Sequence, residues 1–188
     1  MSKSIDVFLS YHFDDDDPLP ERLIHRIAYH LERQPGVTAY AYAGGRHSSS
    51  GWQEEVGGHV AQCNYFVLFQ GRNWGEVQED ECGYFLVNKA NHPVAARSIV
   101  VKFKDAEEPP KRFRKKYFQL LGEEPPYELP PIIDANNPKL FDESVARDCA
   151  RFIVERFKGS NSWVHEDGLP LGYPFAYEKA IIEEFVSG

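Results

Sequence analysis

Residues 63–91 read CNYFVLFQGRNWGEVQEDECGYFLVNKAN, a strand signal followed at once by a helix signal. Tyr65 to Phe69 is an unbroken apolar and aromatic run, the pattern of a strand buried on both faces of a sheet. Gly71 and Asn73 break it. From Gly75 to Asn88 the period becomes helical, with Val77, Glu81 and Tyr84/Phe85 recurring at spacings of three and four. Glu81 therefore shares a stripe with apolar neighbours, while Glu76, Glu79 and Asp80 fall elsewhere around the helix. A carboxylate just past the C-terminal end of a buried strand stands where open α/β sheets bind ligands.

The same alternation extends in both directions. Ile5 to Tyr11 (IDVFLSY) is an apolar strand suited to the middle of a sheet. His12 to Asp17 (HFDDDD) leaves its end; a solvated, helix-leading loop is the expectation there, ahead of a cation site. Leu19 to Gln34 is a helix with Pro20 in its first turn and Leu23, Ile24, Ile27 and Leu31 on the buried side. His25 and His30 stand five apart, one too many for a helical metal pair. Val37 to Tyr42 alternates large and small, as an edge strand does. Ala43 to Gly51 (AGGRHSSSG) is a small-residue loop able to take a phosphate on backbone N–H groups and Arg46, without matching a known glycine fingerprint. Trp52 to Gln62 is the next helix.

Beyond residue 91, Arg97 to Lys104 forms a strand and Phe113 to Leu121 a short helix. Pro125 to Pro131 argues for irregular structure, and Ile132–Asp134 reads as a short fifth strand. Leu140 to Phe157 is the last long helix. Strands alternating with helices in this way form βαβ units around a parallel sheet, with right-handed crossovers. After Gly159 the composition turns to Gly, Ser, Asn and Pro, so residues 1–158 are read as the domain and 159–188 as a linker opening into a following region, the alternative being a tail that folds back on the domain.

The 188 residues carry a net charge of -8, which disfavours nucleic acid or an anionic membrane as a partner of the whole surface. The basic run Lys111–Lys116 (KRFRKK) is a local exception, read first as a solvated helix face. No apolar run approaches the roughly 20 residues of a spanning helix, and MSKSIDVFLSY has no signal-peptide architecture. Cys63, Cys82 and Cys149, scattered in apolar pattern, read as buried thiols of a cytoplasmic protein and not as a disulfide framework or metal site.

Three segments resemble the bacterial type of TIR (Toll/interleukin receptor-like) domain. Asp6–Tyr11 (DVFLSY) is similar to its first box, a strand ending in Ser-Tyr. Ser50–Phe69 follows its order of loop glycine, Trp, acidic pair, helix and apolar strand. The distance from that strand to Glu81 matches the family's catalytic glutamate. Over residues 4–158 the resemblance implies a flavodoxin-like sheet of order 2-1-3-4-5 and cleavage of NAD+ between nicotinamide and ribose. It also implies a role in anti-phage defence or signalling, with self-association through TIR–TIR contacts and a sensor domain or subunit beyond the C-terminus. NAD+ is then a substrate, and no cofactor or metal is called for. The family often has Ser where this chain has Gly75 and Trp where it has Val77.

The chemistry such a site needs is modest. The leaving group is a pyridinium cation and the ribose passes through an oxocarbenium-like state, so one carboxylate set against the ribose answers the main demand. Glu81 is the candidate for that role. Phe13 or Trp74 could stack on a ring, Arg46 could meet the pyrophosphate, and Ser10 and His12 would face the crevice at the end of the first strand. Two other functions stay open: a non-catalytic TIR assembly or adaptor module, and a nucleoside-processing transferase on a related fold.

Overall fold

The computed structural model describes residues 5–12, 19–41, 58, 60, 63–91, 97–131 and 143–165. In chain order the elements are β1 (Ile5–Ser10), α1 (Leu19–Arg33), β2 (Val37–Ala41), β3 (Tyr65–Gln70), α2 (Glu76–Asn91), β4 (Arg97–Lys102), α3 (Arg114–Leu121), β5 (Tyr127–Glu128) and α4 (Glu143–Lys158). Gly58 and Val60, from the stretch read as a helix over 52–62, have helical backbone. The strands form one parallel sheet in the order β2-β1-β3-β4-β5. That is the flavodoxin-like order implied by the resemblance, with its switch point between β1 and β3.

Each face of the sheet has its own core, and strand alternation assigns side chains between them. On one face Val7, Leu9, Tyr65, Val67 and Val101 pack under α1 and α4 with Leu23, Ile24, Ile27, Cys149, Ile153 and Phe157. On the other, Phe8, Phe66, Leu68 and Val100 pack with Val60, Cys82, Phe85, Phe113 and Leu120. Phe66 lies parallel to Phe8 at 5.6 Å between ring centres and near-parallel to Phe85 at 4.8 Å. β1 and β3 are central and apolar on both sides; β2 lies at the edge and alternates.

The helices over α1 and α4 are joined by charge as well as by apolar contact. Arg26 donates through two nitrogens, at 2.9 and 2.7 Å, to Oε1 of Glu143, and His30 Nε2 lies 2.6 Å from the same oxygen. Burial works against the ionised Glu143, but the His30 and Arg26 contacts outweigh it and hold its carboxyl below the usual range.

Three expectations change. The fifth strand is Tyr127–Glu128, inside the proline-rich tract read as irregular, paired with Val101 and Lys102; Ile132–Asp134 lies outside the described residues. It forms because Tyr127 anchors it, its ring 4.5 Å from that of Phe152 on α4. The inward stripe of α2 is Gln78, Glu81, Cys82 and Phe85; Val77 is half-buried and Tyr84 is 42% exposed. Residues 159–165, read as linker, dock on the domain: Gln34 and Val164 exchange hydrogen bonds at 2.9 and 2.8 Å, and Trp163 packs on the α1/α4 core. Cys63, Cys82 and Cys149 are free and buried, as read. No helix among the described residues is long and apolar enough to cross a membrane.

Candidate functional site

Ser10 closes β1 on the same face as Phe8, and α2 crosses that face as it leaves the end of β3. Two α2 side chains, three residues apart and so on one side of the helix, turn inward over the strand ends. Gln78 donates its amide to the carbonyl of Phe69 at 2.8 Å and of Ser10 at 3.4 Å, tying β1 to β3 at their C-terminal ends. Ser10 Oγ donates to Oε1 of Glu81 at 3.0 Å. All three are buried, Glu81 to 2% exposure, and Oε1 of Gln78 has no hydrogen-bond partner among the described residues.

Burial is the main influence on Glu81. It pushes the carboxyl up to about 8; the Ser10 hydrogen bond opposes the shift and neighbouring Asp80 adds to it. The side chain is therefore predominantly a neutral acid at pH 7. Its neighbour Cys82 is raised well above the usual thiol range, first by burial and then by Glu81.

The strand-end cleft that the described residues form is separate. It is lined by Tyr11, His12, Glu21, Ile24, Arg72 and Asp105 among others, and Ile24, Phe69 and Phe103 in its wall belong to the α1/α4 core. Glu81 faces the opposite side of the sheet and does not line it. At about 50 Å³ the cleft is far below the roughly 300 Å³ at which small-molecule pockets begin. Beneath it Tyr11 Oη lies 3.2 Å from Nε2 of His25, whose pKa burial lowers to about 4.

The remaining expected site residues scatter. His12 is exposed at the cleft, with its ring seated where a Cβ on Gly75 would fall. A serine at position 75 would thus meet the imidazole, so Gly75 and His12 form one steric unit. Trp74 turns to α3: its ring centre is 5.2 Å from Phe113 and 6.1 Å from Tyr117, and its indole N–H donates to the Glu107 carbonyl at 3.3 Å. Phe13, Arg46 and Asp14–Asp17 lie outside the described residues. Gln78 was not singled out in the sequence; its spacing of three from Glu81 was the available signal. Gln70 was missed too. It accepts from Tyr117 Oη at 2.7 Å and donates to the Glu107 carbonyl at 2.9 Å, fixing the loop after β4 across the end of β3.

No protein-family model matches the chain, and no curated protein matches it. Among solved structures it overlaps a diflavin flavoprotein A3 from Nostoc sp. at 17% identity and TM-score 0.36, over 82% of this chain and 96% of that one. It overlaps the flavodoxin-like domain of a Synechococcus sp. protein at 16% identity and TM-score 0.40, over the same shares of each chain. Overlaps this loose assign neither ligand nor activity.

Proposed function

We propose that this chain cleaves the nicotinamide–ribose bond of NAD+, with Glu81 as the carboxylate set against the ribose. The observation that supports this reading is the buried Glu81–Ser10 contact at the β1/β3 switch point, the place where this sheet order binds ligands. The C1′–N bond breaks and its electron pair goes to nicotinamide, which leaves neutral. The ionised Glu81 stabilises the oxocarbenium ion; water adds at C1′ and releases a proton, giving ADP-ribose. Attack by an adenine nitrogen in place of water would give a cyclic product. The resting acid releases its proton to solvent before the bond breaks, a loss that an arriving pyridinium cation favours. Ser10 positions the carboxyl. Phe13, Arg46, His12 and Trp74 stay in the proposal as contacts to the rest of the dinucleotide, Trp74 less directly, given its packing on α3.

The test is chromatography of products from NAD+ incubated with purified protein, with and without a crowding agent to favour self-association. Nicotinamide should appear, and Glu81→Gln should reduce the rate by roughly 100-fold or more. Below pH 8, kcat/KM should climb about tenfold per pH unit as Glu81 ionises. Intact NAD+, or equal turnover by the variant, overturns the reading.

An assembly module without catalysis is favoured by one observation, the small described cleft lying on the face away from Glu81. In that case Glu81→Gln leaves sedimentation and every downstream activity intact, while changes at Arg46 or Trp52 abolish assembly.

A further inference from the structure

We propose that the foot of the sheet, opposite the strand ends described above, holds a second binding site for a small organic anion with a flat, apolar body. The site follows from the shortness of β5. That strand pairs only with Val101 and Lys102, so Arg97–Val100 of β4 has no neighbouring strand on that side among the described residues. The space is roofed by the end of α3, the turn through Gly122–Pro125, and Phe152 and Arg156 of α4. It measures about 330 Å³, within the range of small-molecule pockets and several times the strand-end cleft.

Its lining has two halves. Leu120, Leu121, Phe152, Ile99 and Val100 give an apolar floor, beside the Ser98 hydroxyl that donates to the Leu120 carbonyl at 2.7 Å. Lys89, Arg97 and Arg156 bring three cations to a chain of net charge -8. Arg156 is already committed in part: it pairs with Glu124, while its Nε–H is buried with no hydrogen-bond partner among the described residues. Lys89 and Arg97 form no ion pair among the described residues; Arg97 only overhangs the Phe157 ring, at 5.9 Å. An orphaned N–H and two free cations beside an apolar floor suit a phosphate or carboxylate joined to a ring. Glu123 and Glu124, on the turn, repel an anion placed at their end and so orient it toward Lys89 and Arg97.

Titration calorimetry of the whole chain with AMP, adenosine and inorganic phosphate tests this. AMP should bind with a dissociation constant on the order of 10–100 µM, from the per-atom efficiency of ligands of that size. Lys89→Gln and Arg97→Gln should each weaken it about tenfold, the value of a charge-assisted contact at a partly open site. Both variants alter partly exposed side chains, so their urea midpoints should match wild type. Adenosine or phosphate alone should bind at least tenfold more weakly than AMP, since each meets one half of the site. No AMP binding, wild-type affinity in both variants, or phosphate alone as tight as AMP each overturns the proposal. Loss of AMP binding in Glu81→Gln with none in Arg97→Gln also overturns it, because the nucleotide would then sit at the strand-end site.

Discussion

Replacing Glu81 with Gln should make the protein more stable, and increasingly so as pH rises. The carboxyl is 2% exposed and, among the described residues, receives one hydrogen bond, from Ser10. Its pKa is about 8 in the folded chain against 4.5 in the unfolded one, so between those values the native state holds a proton that the unfolded state has released. Stability from this group is complete below pH 4.5 and is lost as pH rises through 8. Each pH unit in the window is worth about 1.4 kcal/mol, which sets a ceiling of roughly 5 kcal/mol. Gln keeps the shape and carries no proton. Urea unfolding followed by tryptophan fluorescence, with Trp74 reporting from its contact with Phe113, gives ΔG at each pH. The gap between variant and wild type should widen by about 3 kcal/mol from pH 5 to pH 7.5. Curves parallel to within about 0.5 kcal/mol, the usual scatter of surface substitutions, would show that Glu81 is not enclosed.

His25 should produce the opposite limb. Its pKa falls from 6.5 unfolded to about 4 folded, so the unfolded chain binds the extra proton and stability is lost as pH drops through that window, by roughly 3 kcal/mol in all; His25→Asn should flatten this acid limb in the same urea titration. At position 75, Ala should cost about 1–2 kcal/mol by crowding the His12 ring. The three atoms nearest to this Cβ all belong to the His12 ring, so the cost should fall near zero in a His12→Ala background; equal costs in both backgrounds would show that the two residues are not one steric unit.

The sheet was legible because its signals are local. The apolar runs 5–11 and 65–69 announce strands buried on both faces, and Leu23, Ile24, Ile27 and Leu31 announce one face of α1. What stayed hidden depends on partners distant in sequence. The inner side of α2 is half polar because it closes over strand-end carbonyls, so a search for apolar period settled on Val77 and Tyr84, which do not belong to it. Trp74 looked free to stack on a ligand, but Phe113 and Tyr117 of a later segment cover it. The two-residue β5 carries no pattern long enough to read and exists through the Tyr127–Phe152 contact. Glu81 itself was found by position, while its neutral state could only follow from the depth at which it sits.

That neutral state bears on the choice between enzyme and scaffold. Gln78 already ties β1 to β3, and an amide at position 81 could accept from Ser10 as the acid does. As a clamp, then, the acid offers nothing over Gln and loses stability at every pH above its unfolded pKa. What it adds is a negative charge that becomes favourable when a cation enters the site. If the chain only assembles, Glu81→Gln gains stability with no loss of function. If it cleaves NAD+, the same substitution raises stability and removes turnover together, the trade-off expected where a site is kept strained for its chemistry.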